Sequence, residues 1–156
     1  MRLLDFRSGL RVLGHPAHTL LVHFPLAFWS LVFPLEVLGL SLGWDTGWRL
    51  AFWANLAGLA TALPAMGSGL IDLVAPGHVA GAGAARTANR HLYVMLSAAT
   101  CFVAEVLVRG GSAPPVATAA FLNLGLSLAG LLLLVWGGWL GGELVFGHGV
   151  GVRNGR

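Results

Sequence analysis

The sequence predicts an all-α protein, a transmembrane up-down four-helix bundle preceded by a short amphipathic helix at the membrane surface. Of its 156 residues, 56% are hydrophobic and only 10% are charged, whereas soluble domains carry about 25% charged residues. The apolar residues fall into four runs, and each run reaches the roughly 20 residues that cross a bilayer. The connections between most of these runs are short, as in antiparallel bundles.

The predicted elements follow one another in a single domain that covers residues 1–156. Residues 2–13 carry Leu3, Phe6 and Leu10 at helical spacing with arginines between them, which is typical of a helix lying on a lipid surface. The predicted spans cover about residues 19–42, 48–74, 88–108 and 115–146.

The arginines predict how these spans cross the membrane. All nine basic residues are arginines, and only Arg49 and Arg109 fall on the side away from the termini. The positive-inside rule then places both termini in the cytoplasm. The other seven arginines are Arg2, Arg7, Arg11, Arg86, Arg90, Arg153 and Arg156.

Several function classes are disfavoured by what the chain contains. Its arginines are spread through short segments between apolar runs, so the basic charge favours a membrane orientation signal over nucleic-acid binding. The single cysteine, Cys101, excludes an internal disulfide. The chain also has no P-loop, dinucleotide fingerprint or nucleophile–base motif, which argues against nucleotide binding and hydrolysis.

Two histidines fall inside the predicted spans at matching depth. His23 lies about one turn into span one and His91 about one turn into span three. These spans run in the same direction and lie diagonally in an up-down bundle, and the small residues Ala27 and Ser30 above His23 leave room for a flat group. Two opposed imidazoles are what a b-type haem needs as axial ligands. We therefore expect His23 and His91 to ligate the iron of haem b near the cytoplasmic face.

Other polar residues gather at the same end of the predicted bundle. We expect them to contact the cofactor, to orient the two ligand imidazoles or to pair with haem propionates. The residues expected to bind the cofactor beside the two ligands are His15, His18, Arg90 and His148, and those expected to support them are Asp72 and Glu143.

The opposite half of the bundle contains two carboxyl groups, Glu36 in span one and Glu105 in span three. Glu105 lies four residues before Arg109 on one helix face, so an ion pair is the simplest interpretation. The alternative is that Glu36 and Glu105 handle protons beside a quinone or a relay, because ionisable groups inside membranes are often functional.

Three stretches of the chain resemble a widespread bacterial family of predicted four-helix membrane proteins of unknown function. They are His15-Pro16 with Leu21-Val22-His23-Phe24-Pro25, the lone His91, and Gly138-Trp139-Leu140-Gly141-Gly142-Glu143-Leu144-Val145 with His148-Gly149-Val150-Gly151-Val152. Relatives in this family are fused to Rieske-type iron–sulfur or c-type cytochrome domains. The resemblance therefore implies electron transfer in the bacterial plasma membrane with a separate redox partner protein, and motif histidines at His15, His23, His91 and His148.

Three functional hypotheses follow from these residues. The leading one is a b-type haem protein that passes electrons between a quinol or soluble carrier and a partner complex, as a redox subunit rather than a free-standing enzyme. The second is a Zn or Cu site, because imidazole and carboxylate groups suit these ions. Its ligands would be His15, His18, His23, His91 and a carboxylate. The third is a structural subunit of a larger membrane complex without a cofactor.

Overall fold

The computed structural model describes residues 9–75, 79 and 81–152. Its helices are α1 Ala17–Leu21, α2 His23–Ser41, α3 Asp45–Val74, α4 Ala82–Arg109 and α5 Ala117–Gly142, and a π-helical turn, Glu143–Gly147, extends α5. Helices α1 and α2 together form one span, so four helical segments of the described residues are long and apolar enough to cross a membrane. The predicted all-α four-helix fold is confirmed.

Two helix boundaries differ from the predicted ones in ways that matter for the site. The first span begins at Ala17, directly after Pro16, whose missing N–H is harmless at a helix start. This earlier start brings His18 into the helix. Helix α4 begins at Ala82, six residues before the predicted boundary, because its alanine-rich first turns are good helix formers and bury Ala84 and Ala88.

The predicted surface helix over residues 2–13 lies mostly outside the described residues, and the part that is described is not helical. Arg11–Val12 pairs with His15–Pro16 as a two-residue antiparallel ladder. The turn between them has positive φ angles of 51° at Leu13 and 84° at Gly14, as a tight two-residue hairpin requires. The backbone N–H of Leu10 donates a 2.8 Å hydrogen bond to Asp72 at the end of α3, which ties this hairpin to the bundle.

The bundle consists of two helical hairpins packed face to face. Helix α2 packs most extensively on α3, and α4 packs most extensively on α5. Between the hairpins, α2 contacts α5 and α3 contacts α4. Helices α2 and α4 are therefore the parallel, diagonal pair, as the up-down topology predicts.

The distribution of side chains is that of a protein surrounded by lipid. Many large apolar residues face outward, and Leu63 and Leu107 are 74% and 75% exposed. Several polar side chains are instead fully buried, among them Glu36 and Asn55 at 0% exposure. Buried polar groups and an apolar exterior are expected where the solvent outside the bundle is hydrocarbon.

Equivalent residues of the two hairpins meet on the long axis of the bundle. The rings of Trp29 and Phe102 stack with centroids 4.6 Å apart and an interplanar angle of 10°, and these residues are separated by 73 positions. Glu36 pairs with Arg109, again 73 positions away. The constant separation indicates that the hairpins are related by a pseudo-twofold axis along the bundle.

The outer helices of the hairpins repeat in the same way, with a separation of 72 positions. Residues 55–59 read Asn-Leu-Ala-Gly-Leu and residues 127–131 read Ser-Leu-Ala-Gly-Leu. The glycine of the first copy, Gly58, lies against Trp29, and that of the second, Gly130, lies against Phe102. In each hairpin the central aromatic ring therefore packs on a glycine of the second helix. A side chain at that position would leave no room for the ring.

Candidate functional site

His18 and His91 face each other across the pseudo-twofold axis at one end of the bundle. Their ring centroids are 6.3 Å apart and their ring planes are nearly perpendicular, at 87°. They too are separated by 73 positions. We call them the histidine pair.

Both rings of the histidine pair are held by backbone carbonyls of neighbouring helices. His18 Nδ1 lies 2.8 Å from the carbonyl oxygen of Ala65 on α3, and His91 Nδ1 lies 2.9 Å from that of Gly137 on α5. Because a carbonyl oxygen can only accept, each Nδ1 carries a proton, and in the neutral ring the Nε2 atom keeps its lone pair. Among the described residues, neither Nε2 has a hydrogen-bond partner.

A glycine makes each of these contacts sterically accessible. Gly69 is the fourth residue after Ala65, and a Cβ atom built on it would lie 2.8 Å from the ring of His18. Gly141 is the fourth residue after Gly137, and a Cβ atom there would lie 3.4 Å from the ring of His91. The imidazoles can therefore lie directly on the helix backbone, which fixes their orientation.

The histidine pair lines a cavity of about 550 Å³ at this end of the bundle. This volume falls within the range of roughly 300–1,000 Å³ that is usual for small-molecule and cofactor sites. Much of the wall is apolar or built from small residues, including Ala62, Ala88 and Gly138, and Trp29 also contributes to it. Pro16 of the N-terminal ladder and Val150 after the π-helical turn also line the cavity.

The predicted pairing of His23 with His91 is corrected by the structure, which brings His18 to that position. His23 lies exposed at the edge of the cavity, with Nδ1 3.4 Å from the carbonyl oxygen of Leu20. His23 is five positions after His18, so their side chains point about 140° apart around the helix. Only one of them can face the axis. His23 was predicted to do so because the predicted span began at residue 19, after His18.

The other residues predicted to bind the cofactor lie at the same end but outside the cavity wall. His15 is exposed in the N-terminal ladder, with Nδ1 3.3 Å from the carbonyl oxygen of Leu13. His148 is exposed, and its Nε2 lies 3.2 Å from the hydroxyl of Thr87. Arg90 is exposed on α4. The structure therefore places these three side chains around the rim.

The two predicted supporting carboxylates differ in their positions. Asp72 is 8% exposed and lines the cavity, where it also accepts the hydrogen bond from the N-terminal ladder. Glu143 is exposed at the start of the π-helical turn. Over residues 9–75, 79 and 81–152, no group of three or more His, Cys, Asp or Glu side chains is arranged to hold a metal ion.

A second buried polar cluster lies at the opposite end of the bundle, about 21 Å along α4 from His91. Arg109 Nη1 lies 3.3 Å from Glu36 Oε1 and 3.6 Å from Glu105 Oε1, and all three side chains are completely buried. The predicted ion pair between Glu105 and Arg109 is thus confirmed, and Glu36 joins it from the diagonal helix. We call these three residues the carboxylate cluster.

The carboxylate cluster is completed by groups from every helix of the bundle. Ser127 of α5 donates a 2.5 Å hydrogen bond to Glu36 Oε2, and Asn55 of α3 donates to Glu105 Oε2. Arg109 donates to the carbonyl oxygen of Trp48 and lies over its ring, 5.2 Å from the centroid. Glu36 and Glu105 were predicted to lie at the same depth in the membrane. In the structure both also contact the same guanidinium group, that of Arg109.

The fold and site define an integral membrane four-helix protein with two opposed, backbone-fixed imidazoles over a cavity. The chain belongs to the family described as "Predicted membrane protein (DUF2231)", whose model matches residues 14–154. This agrees with the resemblance drawn from the end motifs. Neither the curated proteins nor the solved structures compared with the chain include a significant match.

The internal repeat is a partial sequence signal for His18. Aligning the two copies of Leu-Ala-Gly-Leu at residues 56–59 and 128–131 makes the two hairpins equivalent with an offset of 72 positions, which places Thr19, the residue next to His18, opposite His91. The offset of 73 positions between α2 and α4 is shown by the contacts of the structure. The repeat therefore points to the neighbourhood of His18, whereas helix depth alone points to His23, and the structure selects His18.

Proposed function

We propose that this protein binds one b-type haem in the membrane, with His18 and His91 as the axial ligands, and that it serves as an electron-transfer subunit. The observation that carries the proposal is the geometry of the histidine pair. Two imidazoles that hold one metal ion between them through nitrogen atoms at about 2 Å place their ring centres roughly 6 Å apart. The observed separation of 6.3 Å matches this value.

The environment of the rings supports the same proposal. A histidine that ligates a metal almost always donates its other N–H to a carbonyl, carboxylate or water, which fixes the tautomer and the ring orientation. His18 and His91 both do so, to Ala65 and Gly137. The small residues of the cavity wall leave space on the bundle axis for a flat, largely apolar group. When bound, haem would supply one-electron redox chemistry.

The ligand number favours haem over the Zn or Cu alternative. A tetrahedral zinc site takes three or four protein ligands, and the histidine pair supplies two. No cluster of three suitable ligands occurs in the part of the chain that the structure describes. A porphyrin provides four nitrogen ligands itself and needs only the two axial imidazoles. A purely structural role leaves the free Nε2 atoms and the cavity without explanation.

The proposed location is the cytoplasmic side of the bacterial plasma membrane. The arginines Arg11, Arg86 and Arg90 lie at the end with the histidine pair, whereas the other end has the exposed Arg49 and the buried, paired Arg109. Excess positive charge favours the cytoplasmic side. A single haem near one face does not carry electrons across the bilayer, so a quinone or a redox partner protein completes the proposed pathway.

The test is the reduced-minus-oxidised absorption spectrum of the purified protein, combined with its haem and metal content. We expect one haem per chain with the sharp bands of a six-coordinate b-type centre. His18→Ala and His91→Ala should each lose these bands, because each removes one axial ligand.

The matched controls are His15→Ala and His23→Ala, which remove histidines from the rim and should retain the spectrum. Loss of the bands in His23→Ala but not in His18→Ala would show that His23, rather than His18, is the axial ligand. Pure protein, supplied with haem during expression, that contains none would refute the proposal. Stoichiometric zinc or copper in that sample would support the second hypothesis instead.

A further inference from the structure

We propose that the carboxylate cluster binds one exchangeable proton, which Glu36 and Glu105 share within the membrane. This inference concerns the end of the bundle opposite the histidine pair, and it does not depend on haem binding. It rests on the charge balance of the cluster, on its closed surroundings and on buried polar atoms that lack partners.

The charge balance leaves one carboxyl group without a counter-charge. Glu36 and Glu105 both lie within 4 Å of the same nitrogen of Arg109. Two ionised carboxylates and one guanidinium would leave one net negative charge in a site with no exposed side chain. A buried uncompensated charge is so costly that the group takes up a proton instead.

The pseudo-twofold symmetry identifies Glu105 as the surplus acid. Glu36 and Arg109 occupy equivalent positions of the two hairpins and form a neutral pair by themselves. The equivalent of Glu105 in the first hairpin is Val32, an apolar residue that is fully buried. Glu105 is therefore an acid added to an already balanced pair.

The neighbours of the cluster offer no further charge among the described residues. Around Glu36 on α2 and Glu105 and Arg109 on α4, the groups contributed by α3 and α5 are neutral. They are Trp48 and Asn55 on α3 and Ser127 on α5. Two other ionisable residues at this end, Asp45 and Arg49 on the first turns of α3, are exposed.

Two sets of buried polar atoms in and beside the cluster lack hydrogen-bond partners among the described residues. Within the described part of the chain, Glu105 Oε1 has no hydrogen-bond partner, although it lies 3.6 Å from Arg109 Nη1, so a proton on this oxygen would displace no existing hydrogen bond. Asn123 is 0% exposed and neither amide atom has a partner there. It lies one turn before Ser127 on the same buried face of α5. A water molecule bound to Asn123 would connect the cluster to the nearby end of the bundle.

The proton is best detected by infrared spectroscopy of the purified full-length protein in lipid vesicles. A protonated carboxyl group gives a carbonyl stretching band, separate from the bands of a carboxylate, that shifts in D₂O. We expect one such band near neutral pH in the wild-type protein and its loss on alkaline titration, when the proton leaves for bulk water.

The variants give a distinctive pattern of losses. Glu105→Gln and Glu36→Gln should each abolish the band, because either substitution leaves one carboxylate balanced by Arg109. Glu143→Gln, which removes an exposed carboxyl group elsewhere, should retain it. In both cluster variants the introduced glutamine is uncharged and similar in size to glutamate. A circular dichroism spectrum verifies that each variant remains folded.

Three results would overturn the proposal. One is the absence of the band from the wild-type protein, and another is its persistence in either cluster variant. The third is a thermal unfolding midpoint that rises with sodium but not with choline and loses this dependence in Glu105→Gln. That result would mean that a bound cation, rather than a proton, balances the charge.

Discussion

At the residue scale, glycine at position 69 determines how closely His18 can approach the backbone of α3. A Cβ atom at Gly69 would lie 2.8 Å from the imidazole, and one at Gly141 would meet His91 at 3.4 Å. The first distance requires the ring to move, whereas the second is close to an ordinary contact. The two halves of the histidine pair therefore differ in their tolerance of an added methyl group.

We accordingly expect Gly69→Ala to displace the ring of His18, break its hydrogen bond to Ala65 and weaken haem binding by about tenfold or more. Gly141→Ala should have a much smaller effect. The measurement is haem titration of the apoprotein followed by absorption spectroscopy. Gly67→Ala is the matched control on α3, because nothing lies within 4 Å of a Cβ atom there, and an equal loss in this control would contradict the steric explanation.

At the element scale, each hairpin is held together by an aromatic ring packed on a glycine. Phe102 of α4 lies on Gly130 of α5, where a Cβ atom would be 2.9 Å from the ring. Phe102 also stacks on Trp29 of the other hairpin, whose indole N–H donates a 3.1 Å hydrogen bond to Asn55. Close packing of this kind stabilises helix association in lipid, where the hydrophobic effect contributes little.

We therefore expect Gly130→Ala to destabilise the protein by about 1–3 kcal/mol, the usual effect of overpacking a core. Thermal unfolding in detergent, followed by circular dichroism, measures the change. Gly125→Ala lies on the same helix with nothing within 4 Å of the added atom and should be neutral or slightly stabilising, since alanine favours helix over glycine. Equal destabilisation by both variants would show that packing on Phe102 is not the cause.

At the scale of the whole molecule, the two polar sites occupy opposite ends of the bundle and the charged arginines are distributed unequally between those ends. The proposed orientation places the histidine pair toward the cytoplasm and the carboxylate cluster toward the outside. The proton of the cluster would then exchange with the outer solution, and electrons would enter near the inner face.

This orientation predicts which introduced cysteines react with a membrane-impermeant thiol reagent in intact cells. In a Cys101→Ser background, Ala113→Cys in the connection between α4 and α5 should be labelled without disrupting the cells. Ala82→Cys at the other end of α4 should be labelled only after disruption. Both positions are exposed in the structure, and the reverse labelling pattern would invert the topology.

Composition and spacing were sufficient to predict the helical class, the number of spans and their up-down order. Each depends on local hydrophobicity and on the short connections, which the residues themselves specify. The ion pair between Glu105 and Arg109 was predictable for the same reason, because a four-residue spacing is local to one helix. The short ladder at residues 11–16 was not predicted, because its turn requires positive φ angles at Leu13 and Gly14 that the amphipathic spacing does not reveal.

The sequence by itself determined that this chain is a four-helix membrane protein with histidines near one end and the carboxyl groups of Glu36 and Glu105 near the other. Only the tertiary structure decided which histidine faces His91, and it placed Glu36 on the same arginine as Glu105. The physical reason is that helix rotation and mutual packing set both contacts. A two-residue error in the predicted start of the first span was enough to leave out the histidine that faces the axis. Hydrophobic periodicity is too uniform in these apolar spans to specify how each helix is rotated.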